Sequence, residues 1–333
     1  MRPRLAHPPW ILLAAGLALA GVAAALALTH RGTRTVVRTV TVTLPATTTA
    51  PPAQTSPPPT TTPPTTTAPP PTTTAPLPPP TPVAMSWQHA GGIVSHTSAV
   101  DPAWLGQQMR TAGFGWVAVF LGENDSVTPP DTSWISRFEA ASGLPVGGWS
   151  VLGEDPAGDA AQAAQLIRQD GLAFYIADAE APYGYTDGTT QSNVRLSRSR
   201  AFVAAFRAAE PSLPAAVSSY CRPDEHDLDW NAWAKAGFAF LPQAYVNDFG
   251  AAASPATCAD AASSFFPRSE VHPTVGSYQG VHGFVAPDEL TRLLAAAHTS
   301  GFSIYPAEVG MSAEDWQAYG RAIADLHIAR PVA

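Results

Sequence analysis

Eight short apolar runs recur after residue 85, each ending in polar or aromatic residues, and this repeat leaves few folds open. The runs are Gly91–Val94, Gly115–Leu121, Leu144–Val151, Leu172–Ala177, Pro214–Ser219, Phe238–Ala244, Thr274–Tyr278 and Phe302–Ala307. Amphipathic segments separate most of them, opening on first-turn signals such as Asp101-Pro102, Asp155-Pro156, Pro287-Asp288-Glu289 and Ser312-Ala313-Glu314. They stop on Ala112-Gly113, Ser142-Gly143, Asp170-Gly171, Ala236-Gly237 and Ser300-Gly301. Strand and helix alternating every ~25–40 residues means parallel βαβ units. Eight such strands over about 245 residues predict a (β/α)8 TIM barrel spanning 85–333. An open doubly wound sheet is the competing architecture, but no G-x-G-x-x-G follows the first run.

The residues just past each run share one end of the expected barrel, the end where such folds place their sites. They are Ser95-His96, Glu123-Asn124-Asp125, Gly153-Glu154-Asp155, Asp178-x-Glu180, Tyr220 with Arg222, Gln243-x-Tyr245, Tyr278-Gln279 and Glu308. Asp178 and Glu180 stand out. Two residues apart on a strand, they point the same way, and two acids at the end of an apolar strand are costly unless paired or used. Pairing with an arginine such as Arg222 is the plain structural alternative.

Two carboxylates beside an acetal oxygen are the minimum for glycoside hydrolysis. Glu180 suits the proton donor, its pKa raised by burial and by the like charge of Asp178, which stays ionised to orient or stabilise a cationic transition state. Trp149, Tyr183, Tyr220, Tyr245, Tyr278 and Tyr305 offer flat faces and hydroxyls for sugar rings, or simply pack at the rim. Gln243 is expected to bond sugar hydroxyls or a neighbouring loop. His96 is expected to orient a carboxylate or touch substrate, against the alternative of an ordinary packed histidine.

The segments Gly-Ile-Val-Ser-His (92–96), Tyr-Ile-Ala-Asp-Ala-Glu (175–180) and Pro-Gln-Ala-Tyr (242–245) resemble family 25 glycoside hydrolases, the muramidase-type lysozymes. That resemblance implies a barrel acting on peptidoglycan, with Glu180 in the acid role. The family typically carries an aspartate where this chain has Ile93, and another on its last strand where this chain offers Glu308. Glu154, Asp155 and Glu308 are the candidates for the second acid, Asp155 reading best as a helix cap. An inactive glycan-binding barrel is the alternative to an enzyme.

The N-terminal quarter cannot belong to the barrel. Residues 1–9 form a short tail. Trp10–Leu28 is unbroken Trp, Ile, Leu, Ala, Gly and Val, and as a helix would span roughly 28 Å, enough for a transmembrane segment. Arginines on both sides (Arg2 and Arg4, then Arg31, Arg34 and Arg38) leave its orientation open, and Ala25-Leu26-Ala27 has the form of a signal-peptide cleavage site. Residues 29–84 are a linker; about three quarters of positions 45–83 are Pro or Thr, which predicts a disordered, extended stalk reaching on the order of 100 Å. The expected arrangement is a single-pass cell-membrane protein with an extracellular barrel; secretion after cleavage is the alternative. Outside the cell, Cys221 and Cys258 are expected to pair, both falling in strand-to-helix connections. No C-x-x-C or H-E-x-x-H spacing calls for a metal, and no cofactor is expected. A net charge of −8 with one lysine, Lys235, argues against a nucleic-acid or anionic-membrane surface as the main partner, and the polysaccharide or peptidoglycan substrate is what the paired acids and the muramidase resemblance imply.

Overall fold

The computed structural model describes residues 80–123, 126–180, 192–308 and 311–331. The span read at Trp10–Leu28, the linker up to residue 79 and Tyr183 lie outside them. Among the described residues no helix is long and apolar enough to cross a membrane.

In chain order the elements are β1 (Gly91–Val94), α1 (Pro102–Ala112), β2 (Trp116–Glu123), β3 (Ser126–Val127), α2 (Thr132–Ser142), β4 (Val146–Val151), α3 (Pro156–Asp170), β5 (Tyr175–Asp178) and α4 (Ser192–Ala209). They continue with β6 (Ala215–Tyr220), α5 (Trp230–Lys235), β7 (Phe238–Ala244), α6 (Val246–Phe249), α7 (Pro255–Ala262), β8 (Thr274–Gly276), α8 (Pro287–Ala297), β9 (Ser303–Tyr305) and α9 (Ala313–Asp325). Neighbouring strands run β1-β9-β8-β7-β6-β5-β4-β2, all parallel, and β1 also pairs with β2 from Gly91↔Trp116 to Val94↔Val119. That last pairing closes the sheet and excludes the open doubly wound alternative. β3 is an antiparallel appendage on the end of β2.

The helix boundaries follow from local chemistry. Asp101 caps α1 by accepting from the Trp104 N–H, Asp155 caps α3 through Gly158, and Ser312 and Asp315 form a reciprocal capping box at α9. Gly113, Gly143 and Gly171 end α1, α2 and α3 in the left-handed conformation. Cys221, immediately after β6, is disulfide-bonded to Cys258 with their Cα atoms 4.6 Å apart. Cys258 lies within α7, not in a connection, so the bridge ties the β6 exit to the helix after β7.

The barrel interior is a separate apolar cluster of Ile93, Trp116, Ala118, Trp149, Phe174, Ile176, Ala216, Ala239 and Leu241. Its floor is a plug of three rings, Trp87, Trp116 and Phe174, packed edge-on with every pair of centroids 5.3 Å apart. Room for the plug comes from glycine on adjacent strands. A Cβ on Gly91 would lie 2.0 Å from the Trp116 ring, and one on Gly147 would lie 2.4 Å from Phe174. Large and small residues therefore alternate around one layer, as a narrow closed barrel demands. Gly147→Val should lower the unfolding free energy by about 3 kcal/mol, because a buried ring and the backbone beside it must shift. Chemical denaturation of the wild type and the variant measures it.

Candidate active site

Alternation along β5 sets the site. Phe174 and Ile176 face the barrel interior, while Tyr175 turns outward to stack on Phe202 and Phe206 of α4. Continuing the period of two brings Asp178 and then Glu180 onto the inner face at the rim. Asp178 is buried at 8% exposure; Glu180 is partly exposed.

What spans the two acids is an amide. Nε2 of buried Gln243, on β7, donates to Asp178 Oδ1 at 3.0 Å and to Glu180 Oε1 at 2.6 Å. With carboxylate oxygens on both sides, only the NH2 end of the amide can face them. One nitrogen reaching both acids means they stand on the same side of the mouth, less than two hydrogen-bond lengths apart. Ser218, which pairs with Asp178 across β5 and β6, adds a hydroxyl hydrogen bond to Asp178. None of the ion pairs among the described residues involves either acid. Arg222 instead pairs with Asp224 and Glu225 on the surface.

Burial pushes the Asp178 carboxyl well above the usual carboxylate range, and the negative charges of Glu180 and Glu123 push it further. Glu180 is raised for the same reasons, burial first and then Glu123. The Gln243 hydrogen bonds oppose the shift at both sites, and Ser218 opposes it at Asp178. The pair therefore retains a proton at a pH where two separate carboxylic acids would have lost theirs.

Aromatic residues surround the pair. Tyr245 stacks on Tyr305 with centroids 5.9 Å apart, and Tyr278 meets them edge-on at 6.1 and 6.4 Å. Ser95 Oγ donates to the Tyr305 hydroxyl at 3.2 Å. The charges of Asp178 and Glu180 raise the pKa of Tyr220, Tyr245 and Tyr305, though burial is the larger cause in each. Tyr220 stacks on His226, centroids 4.6 Å apart. Trp149 is more floor than platform: it is buried, its indole N–H donates to Val94 O at 2.9 Å, and it packs against Phe120 and Tyr305.

Other expected residues lie elsewhere. Glu308 Oε1 accepts from the backbone N–H groups of Ser95 (2.8 Å) and His96 (2.9 Å), and its side chain is fully buried, so it staples the end of β9 to the end of β1. His96 stands 3.7 Å from that carboxylate with its own side chain 65% exposed. Glu154 is solvent-exposed at 75% and faces Arg198 at 3.7 Å. Asp155 is the α3 cap. Ile93 belongs to the interior cluster. Gln243 was expected to meet sugar hydroxyls or a loop; its amide nitrogen instead joins the two acids. Ser218 and Glu123 were not singled out. Serine at the end of a strand beside Asp178 carries no signal without the register. Glu123 reads as one rim acid among several, and the β2 irregularity between Phe120 and Gly122 cannot be foreseen.

No family model and no curated protein matches the chain. Solved structures do. A class V chitinase from Nicotiana tobaccum aligns at TM-score 0.54 and 9% identity over 70% of this chain and 98% of its own. A GH18 chitinase from Cycas revoluta, solved in complex with (GlcNAc)3, aligns at 0.53 and 10% over 72% and 99%. A GH18 chitinase from Pseudoalteromonas aurantia gives 0.52 and 13% over 72% and 99%. At such identities the likeness establishes the (β/α)8 fold, which recurs across many chemistries.

Replacing one acid of the pair should change stability with a defined sign. Both carboxyls bind a proton more tightly folded than unfolded, so their contribution is present at low pH and is lost as pH rises above the ordinary carboxylate range through their raised values. Glu180→Gln should flatten that decline and be more stable than the wild type at neutral pH. Denaturant midpoints of the two proteins across pH 3–8 are the check, and a variant less stable at neutral pH contradicts the electrostatic account.

Proposed function

We propose that the barrel is a glycoside hydrolase acting on a cell-envelope polysaccharide, with Glu180 as proton donor and Asp178 as its partner. The observation that carries this reading is the Asp178–Gln243–Glu180 bridge in the mouth of the barrel: two raised acids with no cationic partner among the described ion pairs, set among tyrosines. The fold shared with chitinases is consistent with it.

The placement of the acids narrows the mechanism. Two carboxylates on one side of the mouth, on one strand, cannot flank a sugar ring as an acid and an opposing nucleophile do. Glu308 and Glu154 are committed elsewhere. The fitting alternative is assistance by the substrate: the 2-acetamido oxygen of the sugar attacks its own anomeric carbon while Glu180 protonates the departing oxygen, and Asp178 orients the acetamido N–H. Water then opens the cyclic intermediate, with Glu180 taking back the proton. Substrate class follows: a polymer bearing 2-acetamido sugars. Peptidoglycan and chitin both qualify. The three segments that resemble muramidase-type lysozymes and the Pro/Thr-rich linker favour peptidoglycan.

We further propose that the barrel works outside the cell, held to the membrane by Trp10–Leu28 on the extended linker. The Cys221–Cys258 disulfide supports an oxidising compartment. If cell fractionation finds the chain soluble with a new N-terminus near residue 28, the anchor gives way to a cleaved signal peptide.

A second reading, a glycan-binding barrel without turnover, is favoured by one observation, that neither Glu154 nor Glu308 stands opposite the pair. Glu180→Gln separates the two. The full-length wild type should release reducing ends from purified peptidoglycan or colloidal chitin, and the variant should be slower by roughly 10²–10⁴ while still binding. Equal binding and no release by either protein would establish the binding module.

A further inference from the structure

Beyond Tyr278 the chain leaves β8 and folds back on itself. Gly280 and Gly283 exchange both backbone hydrogen bonds at 3.1 Å, closing a four-residue turn with Gly283 at φ +104°. The start of α6 clamps that turn. The His282 N–H donates to Asn247 O at 2.7 Å, and the Val281 N–H donates to Asp248 Oδ1 at 3.2 Å. The Tyr278 hydroxyl donates to the other oxygen of Asp248, and buried Asn247 donates from Nδ2 to Tyr278 O at 3.1 Å. Gly280 sits so close to this segment that a Cβ would lie 2.3 Å from Asn247 O.

This organised turn presents apolar surface to water. Val281 is 76% exposed and Phe284 51%, the two most exposed large apolar side chains among the described residues, and they are three positions apart. Two large apolar groups left this exposed on one hydrogen-bonded turn suit an interaction surface. The occupant is indicated by continuity: Asp248 holds both the turn and the hydroxyl of Tyr278, whose ring touches Tyr245 and Tyr305 beside the acids. Turn and tyrosine cluster are therefore one rigid edge of the mouth. The apolar C–H face of a pyranose matches an exposed ring and a branched aliphatic, while exposed Gln279 and His282 on the same turn can meet its hydroxyls.

We propose that the Val281–Phe284 turn is an outlying sugar-binding station, taking a unit of the polysaccharide further along the chain from the bond at Glu180. The proposal rests on the reading of the site as one for polysaccharide. The test uses the full-length chain with Val281→Ser/Phe284→Ser, with Phe284→Tyr as the conservative control, on peptidoglycan sacculi, colloidal chitin and a chromogenic N-acetylglucosamine disaccharide. On the polymer that the wild type uses, KM and the co-sedimentation Kd should rise about 5–30-fold in the double variant. The double variant's kcat/KM on the disaccharide should stay within about twofold of wild type, since so short a substrate does not reach the turn, and Phe284→Tyr should stay within about twofold on polymer, since it keeps a ring there. Equal loss on polymer and disaccharide, or no loss on polymer, overturns the proposal. A wild type that sediments with polymer but cleaves nothing removes the hydrolytic reading alone, and the variant's sedimentation still decides. A wild type that neither binds nor cleaves any of the three overturns both.

Discussion

The interlock of rings and glycines at the barrel floor is the constraint on which the rest depends. A closed sheet of eight strands leaves space inside for only a few side chains per layer. Trp87, Trp116 and Phe174 fill that space, and Gly91 and Gly147 are bare where the rings pass. The same contacts fix the register, since Gly91 stands opposite Trp116 in the β1–β2 pairing. A slip of one residue on β5 would drive Phe174 into the helical layer and turn both acids outward with it. Packing at the bottom thus determines which side chains meet at the top.

What meets there is electrostatically unfavourable. The charges of Glu180 and Glu123 raise the proton affinity of Asp178, and that of Glu123 raises Glu180's, in a place where burial already penalises charge. Among the described residues the compensation is slight: one amide shared between two acids and one serine hydroxyl. A structural carboxylate pair would ordinarily acquire an arginine, and Arg222, just past the end of the neighbouring strand β6, spends its guanidinium on Asp224 and Glu225. An arrangement that leaves repulsion unrelieved is held by the fold around it, and it keeps available the proton that acid catalysis requires.

Much of this was legible in the chain. Apolar runs and their glycine and aspartate punctuation mark the eight parallel strands because burial and capping are local properties, and the two-residue spacing of Asp178 and Glu180 assigns them a common face. The short elements β3 and α6 are not legible, being made by tertiary contacts more than by periodicity. Gln243 is recognisable by residue type but not by its part: an amide declares its partner only once β7 is placed in register two strands from β5. Glu123 depends on an irregularity within β2 that no pattern announces. Cys258 reads as part of a connection because the helix that contains it is only eight residues long.

Glu308 and Glu180 show why residue type at a strand end does not decide chemistry. Both are glutamates on the same rim, and both have proton affinity raised first by burial, so residue type and burial alone give no reason to prefer either. Their donors differ. Glu308 is held by two main-chain N–H groups with its side chain fully buried, so its carboxylate cannot turn toward a ligand without breaking the β1–β9 staple. Glu180 is held by a side-chain amide that it shares, and it retains exposure to the mouth. A proton donor must present an oxygen to its substrate and release it again within one cycle. Attachment to backbone forbids that motion, whereas attachment to a side chain that can redistribute its two hydrogens between neighbours permits it.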